Sequence, residues 1–240
     1  MEKRLTLKTE DNFTIYGTLN NSSVASSKLI IFVHGLTGSQ NEHQYFNAVP
    51  FFTKQGFDTF RFDLYSRGDN ARQLSNCSIT IHAQDLTTVV NYFKDTYDQV
   101  FLVGHSLGVP VVLHTNLAPI TKIILWDPTS GMKSLEEKKC VYNEKLEKYI
   151  LNWGKEIILG QNMIDEWKKT SNLKALVDKI TKPCKFVFAG NGNKYEAWKP
   201  YLKLIKVPYE FAVVSGATHI FLEEGTEKKL FDETLKWLQV

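Results

Sequence analysis

The run Gly104-His105-Ser106-Leu107-Gly108 sets one serine between glycines two positions away on either side. An apolar run, Val100-Phe101-Leu102-Val103, precedes it, and a second stretch of helical spacing, Val109 to Leu117, follows. A strand that turns directly into a helix forces its corner residue into a strained conformation, and only small flanking residues leave room for that turn. Such a corner lifts the Ser106 hydroxyl off the carboxyl edge of a sheet, where ligands bind in open α/β folds, and directs the first N–H groups of the helix to the same place. The chemistry expected of it is nucleophilic acyl transfer. Pro110 falls in the first helical turn, where a missing N–H costs nothing. The bland alternative is a Gly/Ser turn with no chemistry.

A serine nucleophile needs a base, and six histidines are present. His34 and His105 precede glycine and serine in tight turns and read as structural hydrogen-bonders, while His43, His82 and His114 lie at or in helical stretches. His219 differs: Ser215-Gly216-Ala217-Thr218-His219 is a loop after the last strand and before the last helix, the position from which loops present catalytic side chains. The alternative is an ordinary surface histidine. A third element, His34-Gly35-Leu36-Thr37-Gly38, lets the backbone pass close to the serine, so that the N–H groups of Leu36 and Leu107 are the expected donors to an oxyanion.

The elements that must carry these residues alternate along the chain. Two antiparallel strands, Arg4 to Thr9 and Phe13 to Leu19, lead to Leu29-Ile30-Ile31-Phe32-Val33, a continuous apolar run of the kind a strand buried on both faces requires. A helix from about Tyr45 to Gln55 follows, then the strand Asp58 to Phe62, a helix from Ile81 to Tyr97 with the stripe Leu86, Val89, Val90 and Phe93, the strand before Ser106, its helix, and the strand Ile123 to Trp126. The rhythm resumes at Lys185 to Ala189, with a helix from Tyr195 to Ile205, a strand from Tyr209 to Val214 and a final helix from Thr226 to Leu238. Alternation of this kind means parallel strands joined by crossover helices, hence a doubly wound α/β sheet in one domain over residues 1–240. Between Pro128 and Pro183 the pattern pauses. That stretch offers amphipathic helix candidates and no convincing strand, and reads as a small helical insertion, with a lid or cap expected over 132–172.

Over nearly its whole length the chain resembles the α/β-hydrolase superfamily, through the His34-Gly35 strand end, the Gly104-to-Gly108 elbow and the Gly216-Ala217-Thr218-His219 loop, taken in order and spacing. Asp63-Leu64-Tyr65-Ser66-Arg67-Gly68 is similar to the Asp-containing loop of that family, and His34-Gly35-Leu36-Thr37-Gly38-Ser39 with Asn41-Glu42 resembles small cytoplasmic serine esterases of the feruloyl and cinnamoyl esterase and monoacylglycerol lipase type. The resemblance implies ester hydrolysis through a serine acyl-enzyme, with Ser106 as nucleophile and His219 as base. The acid departs from the pattern. Family members usually carry Asp in the loop after the penultimate strand, where this chain has Gly190-Asn191-Gly192-Asn193. Asp127, after the Ile123-to-Trp126 strand, stands where a subset that includes the haloalkane dehalogenases keeps its acid. Asp127 is therefore the expected third member and Asn193 the alternative; Glu196 is a weaker option, and a simple turn residue before Pro128 is the bland reading of Asp127. The dehalogenase reaction is disfavoured, because those enzymes use Asp where this chain has Ser106.

Composition bounds the rest. Hydrophobic residues at 43% and charged residues at 23% suit a folded globular chain. A net charge of +3, with only Arg4, Arg61, Arg67 and Arg72 as arginines, gives no basis for nucleic-acid binding. No run approaches the length of a membrane span, and the N-terminus lacks the apolar stretch of a signal peptide. Three cysteines, widely spaced and odd in number, suit a reducing cytoplasm and lack metal-site spacing. A small ester is the expected partner, and neither cofactor nor metal is called for. From Lys133 to Lys206, 16 lysines face nine acidic residues. Trp153, Ile157, Ile158, Leu159, Met163 and Trp167 there either line an acyl or aromatic pocket or pack the insertion onto the body. Rivals on the same machinery are a thioesterase, an acyltransferase or an amidase; from another class comes a non-catalytic binding protein that keeps the fold.

Overall fold

The computed structural model describes residues 1–132 and 137–240. Eight strands form one sheet: β1 (Glu2–Lys8), β2 (Thr14–Asn20), β3 (Lys28–Val33), β4 (Asp58–Phe62), β5 (Gln99–His105), β6 (Lys122–Trp126), and two that follow the insertion and are numbered below. Inside β3 the side chains alternate between two buried faces. Leu29, Ile31 and Val33 join one apolar cluster, whereas Ile30 and Phe32 join the other. β5 and β6 divide in the same way, Leu102 and Leu125 facing one side, Val103 and Trp126 the other. A strand walled on both faces cannot show the hydrophobic-polar alternation of a half-exposed one, which is why these runs are continuously apolar.

Helix α1 (His43–Lys54) covers one face with Tyr45 and Phe52. Helices α2 (Ile79–Phe93) and α3 (Gly108–His114) cover the other through Leu86, Val89, Val90, Val109 and Val112. Ser78 caps α2 by accepting the Ile81 N–H at 3.2 Å. α2 ends at Phe93 and α3 at His114, a turn or less short of the ends expected from the apolar stripe. Frayed helix ends are poorly marked by periodicity, and neither end carries a glycine stop.

The insertion differs from the all-helical expectation. Its described part holds a three-stranded antiparallel sheet, β7 (Cys140–Asn143), β8 (Lys148–Asn152) and β9 (Glu156–Leu159), before α4 (Gln161–Lys169) and the short α5 (Leu173–Val177). The strands are four or five residues long, a length at which an apolar run does not separate strand from helix. Turn chemistry settles it: the Asn143 side chain accepts the Leu146 N–H, that of Asn152 accepts the Gly154 N–H, and Gly154 takes a φ of 79°. Residues 133–136 of the expected 132–172 lid lie outside the described residues.

After the insertion come β10 (Cys184–Ala189), α6 (Lys194–Leu202), β11 (Tyr209–Val214) and α7 (Thr226–Gln239). The sheet order is β1-β2-β4-β3-β5-β6-β10-β11, with β1, β2 and β4 antiparallel in sequence and every other pairing parallel. Chain direction across the sheet reverses between β4 and β5, so the carboxyl ends of β3 and β5 flank the crevice where open α/β sheets bind ligands. No helix of the described residues is long and apolar enough to cross a membrane.

Candidate active site

Ser106 stands between β5 and α3 with φ 56°, in the left-handed region. For a residue with a Cβ this conformation costs about 1–2 kcal/mol. Local bonds hold it there: the Ser106 N–H donates to the Trp126 carbonyl at 3.0 Å, and the Ser106 carbonyl accepts the N–H groups of Val109 and Thr129, each at 3.2 Å. Space is equally constrained. A Cβ on Gly108 would sit 2.4 Å from the Val33 carbonyl oxygen and 2.7 Å from that of His34; on Gly104 it would sit 2.9 Å from the Gly108 carbonyl oxygen. Both neighbours are backbone and have nowhere to go. Gly108→Ala is therefore expected to lower stability by about 1–3 kcal/mol, as overpacking does, and to lower any Ser106-dependent activity disproportionately. Thermal unfolding beside an activity assay checks this; a variant with wild-type stability and turnover would remove the steric argument.

His219 reaches Ser106 from the loop between β11 and α7. Its Nε2 lies 2.9 Å from Ser106 Oγ, and its Nδ1 lies 2.5 Å from Asp127 Oδ2. The network assigns the tautomer: Nδ1–H donates to the carboxylate, leaving Nε2 to accept the serine proton. Asp127 is only 1% exposed. It is fixed at φ 36° by its own N–H, which donates to the Val187 carbonyl at 2.8 Å, and its Oδ1 accepts the Ala189 N–H at 3.1 Å. The carboxylate thus accepts from two sides while seated between β6 and β10. One residue before His219, Thr218 is clasped by Glu223, which accepts the Thr218 N–H at 2.9 Å and its hydroxyl at 2.5 Å. These bonds hold the Glu223 carboxyl below the usual carboxylate range.

Asp127, the acid position expected from sequence, is hydrogen-bonded to His219. Asn193 and Glu196 are both exposed at the start of α6, where the Asn193 carbonyl accepts the Ala197 N–H at 3.2 Å.

The loop after β3 passes directly over Ser106. A Cβ on Gly35 would lie 3.0 Å from Ser106 Cβ and 3.3 Å from the His105 carbonyl oxygen, tighter than ordinary packing, and glycine avoids this crowding. His34 braces the loop as expected of a structural histidine, donating from Nδ1 to the Gly35 carbonyl at 2.8 Å and accepting the Leu64 N–H at Nε2 at 3.0 Å; burial keeps its ring below the ordinary histidine pKa. Asp63 holds the far end, accepting the backbone and side-chain N–H groups of Gln40 at 2.8 and 2.7 Å. Leu36 and Leu107 both line the cavity beside Ser106, and among the described residues the N–H of neither donates to a backbone carbonyl.

That cavity encloses about 330 Å³. Around Ser106 and His219 its lining includes Leu36, Thr37, Glu42, Thr129, Trp153, Trp167, Lys194 and Ile220. The Trp153 and Trp167 rings meet edge to face at 5.7 Å. The insertion residues therefore divide: the two tryptophans line the cavity, Ile157, Leu159 and Met163 are buried in the core, and Ile158 is exposed. Burial pushes the half-buried Glu42 carboxyl up, with His43, Ser39 and Lys155 opposing. Sequence reasoning passed over Thr129 and Lys194; no spacing rule marks a residue that reaches a cavity from a separate loop. Among the described residues no group of His, Cys, Asp and Glu is arranged to hold a metal ion.

Residues 30–209 match the Alpha/beta hydrolase family. No curated protein sequence matches the chain. Among solved structures, the Est1E protein of Butyrivibrio proteoclasticus with ferulic acid bound superposes with a TM-score of 0.79 at 20% identity, covering 98% of this chain and 100% of that one. The Pf2001 esterase of Pyrococcus furiosus gives 0.73 at 18% identity over 100% and 90% of the respective chains. A dienelactone hydrolase of Anabaena variabilis gives 0.72 at 12%, covering 100% and 97%. At these identities the likeness is one of fold.

Proposed function

The chain belongs to the alpha/beta hydrolase family, and we propose that within it the protein is a carboxylesterase-type serine hydrolase, cleaving small to medium-sized esters through an acyl-enzyme on Ser106. The observation that carries the reading is the continuous hydrogen-bonded line from Ser106 Oγ through His219 to the buried Asp127 carboxylate. His219 Nε2 takes the hydroxyl proton as Oγ attacks the ester carbonyl, and Asp127 stabilises the imidazolium that forms. The negative charge gathering on the carbonyl oxygen is met by the N–H groups of Leu36 and Leu107. As the tetrahedral species collapses, the carbon–oxygen bond to the alcohol breaks and His219 returns its proton to the departing oxygen. Water then enters, loses a proton to His219 and attacks the acyl group; the acid leaves and Ser106 regains its hydrogen.

Water access favours hydrolysis over acyl transfer. The His219 side chain is 42% exposed, so water reaches the base while an acyl group occupies Ser106. The tryptophan pair in the wall suits a flat or aromatic acyl group, in keeping with the ferulic acid held by the Est1E structure. A cytoplasmic setting belongs to the same reading: the cysteines are unpaired, and burial raises the thiols of Cys77 and Cys184 to about 12, which leaves them unreactive.

The test is a panel of p-nitrophenyl and hydroxycinnamoyl esters beside the matching thioesters and amides. Expected is turnover of the esters, fastest where the acyl group is aromatic. Preference for thioesters or amides would assign the machinery to one of those reactions, and no turnover of any member would favour the non-catalytic binder.

A further inference from the structure

We propose that Gln44 and His105 form a positioning device that holds the backbone of His219, and so sets the distance between the base and Ser106. The proposal rests on the esterase reading of the site for its kinetic consequence, though not for its geometry. His105 ends β5 on the same face as Phe101 and Val103, which pack under α1 and α7. An apolar side chain would be the undemanding choice at such a position. Instead the imidazole is 4% exposed, and the α1 residue facing it, Gln44, is 1% exposed. Two polar groups buried at that depth are costly unless each is satisfied.

They are hydrogen-bonded to one another, and the other ring nitrogen of His105 bonds to the catalytic loop. His105 Nε2 lies 2.8 Å from the His219 carbonyl oxygen, and Gln44 Nε2 lies 3.1 Å from His105 Nδ1. The carbonyl can only accept, so His105 Nε2 must carry the hydrogen; its Nδ1 is then an acceptor, and Gln44 must offer its amide N–H. With the Gln44 amide in this orientation the line takes the neutral Nε2–H tautomer of His105. Burial, with the charges of His219, Lys194 and His43 around it, keeps the His105 ring well below the ordinary histidine pKa, so it stays neutral. Neutrality matters because the two imidazole rings lie 4.7 Å apart, and a second cation there would oppose the imidazolium that His219 becomes.

The consequence is mechanical. His219 is held at its ring by Asp127 and Ser106, at its carbonyl by His105, and through Thr218 by the exposed Glu223 clasp. The loop is anchored in the core by the buried Ala217 and Phe221 on either side of His219, and His105 adds a restraint on the His219 carbonyl itself that ties it to α1. A displacement of about 1 Å at a catalytic group lowers rate on the order of 10²-fold.

Three variants separate positioning from bulk packing. His105→Phe keeps a ring of similar size without either polar atom; His105→Asn keeps a group for Gln44 but is too short to reach His219; His105→Gln keeps an amide N–H at the reach of Nε2. Expected are a 10- to 100-fold loss of kcat in the Phe and Asn variants, on the order set by such displacements, with KM within about twofold, and recovery to within about fivefold of wild type in the Gln variant. Proton NMR of the ligand-free protein gives a readout independent of turnover. The downfield His219 Nδ1–H signal is expected to be sharp in wild type and the Gln variant, and broadened by solvent exchange in the other two. Wild-type kcat and an unchanged signal in His105→Phe would overturn the proposal, as would equal losses in all three variants that follow melting temperature. Were the wild type inert toward every ester, the NMR comparison would still decide whether His105 orders His219, while the esterase reading alone would fall.

Discussion

Alanine at Ser106, or at His219, is expected to lower kcat for ester hydrolysis by about 10⁶ while the fold persists, the loss typical when a nucleophile or its base is removed from a serine-based site. The two variants should fail to similar degrees, because a hydroxyl without a base is as inert as a base without a hydroxyl. Their double variant should be little worse than either alone. Persistence of the fold follows from the surroundings: the Ser106 side chain hydrogen-bonds to His219, and the elbow itself is held by backbone bonds to Trp126, Val109 and Thr129. Strain gives a further contrast. At φ 56° alanine retains the left-handed penalty, whereas Ser106→Gly relieves it. The glycine variant is thus expected to melt no lower than the alanine one while being equally inactive, the trade between stability and activity found at strained sites. Purified Ser106→Ala with wild-type turnover would contradict the mechanism, as would full activity in His219→Ala.

Asp127→Asn is expected to cost about 10⁴ in kcat, the loss seen when the acid of a serine triad becomes its amide. The physical reason is specific to this seat. Asp127 accepts the His219 Nδ1–H with one oxygen and the Ala189 N–H with the other. An asparagine there offers one acceptor and one donor to two donors. Either the Ala189 N–H loses its partner, or the His219 ring must take the other tautomer and lose the lone pair that faces Ser106. In neither case is there a negative charge to stabilise the imidazolium. Asn193→Ala, at the exposed position just before α6, should change kcat by less than about tenfold, within the range of substitutions away from the reacting groups. Steady-state kinetics on the two variants side by side, with circular dichroism to establish folding, checks the ranking. The reverse order would return the acid to the loop after β10.

What could be read from the sequence, and what could not, follows from the range of the interactions involved. The parallel strands were legible because burial on both faces leaves continuous apolar runs at β3, β5 and β6. The elbow was legible because its requirement is local: Gly104 and Gly108 are needed within four residues of one another by the steric demands of a single turn. Asp127 could be named but not separated from Asn193 on spacing alone. Its distinguishing contacts, to Ala189 and His219, lie 62 and 92 residues away along the chain. The β7–β9 meander was misread because four-residue apolar segments carry no period. Gln44 was invisible for a related reason: on an amphipathic helix one glutamine resembles any surface residue, and its partner His105 is 61 positions distant.

The central claim is that Ser106 is a nucleophile activated by its neighbours, and covalent trapping tests it most directly. The protein is incubated with a fluorophosphonate probe, then measured by intact mass and by mapping of the modified peptide. The account predicts a single adduct on the peptide containing Ser106, abolished in Ser106→Ala and formed far more slowly in His219→Ala. An unmodified protein, or an adduct on any other residue, would contradict it.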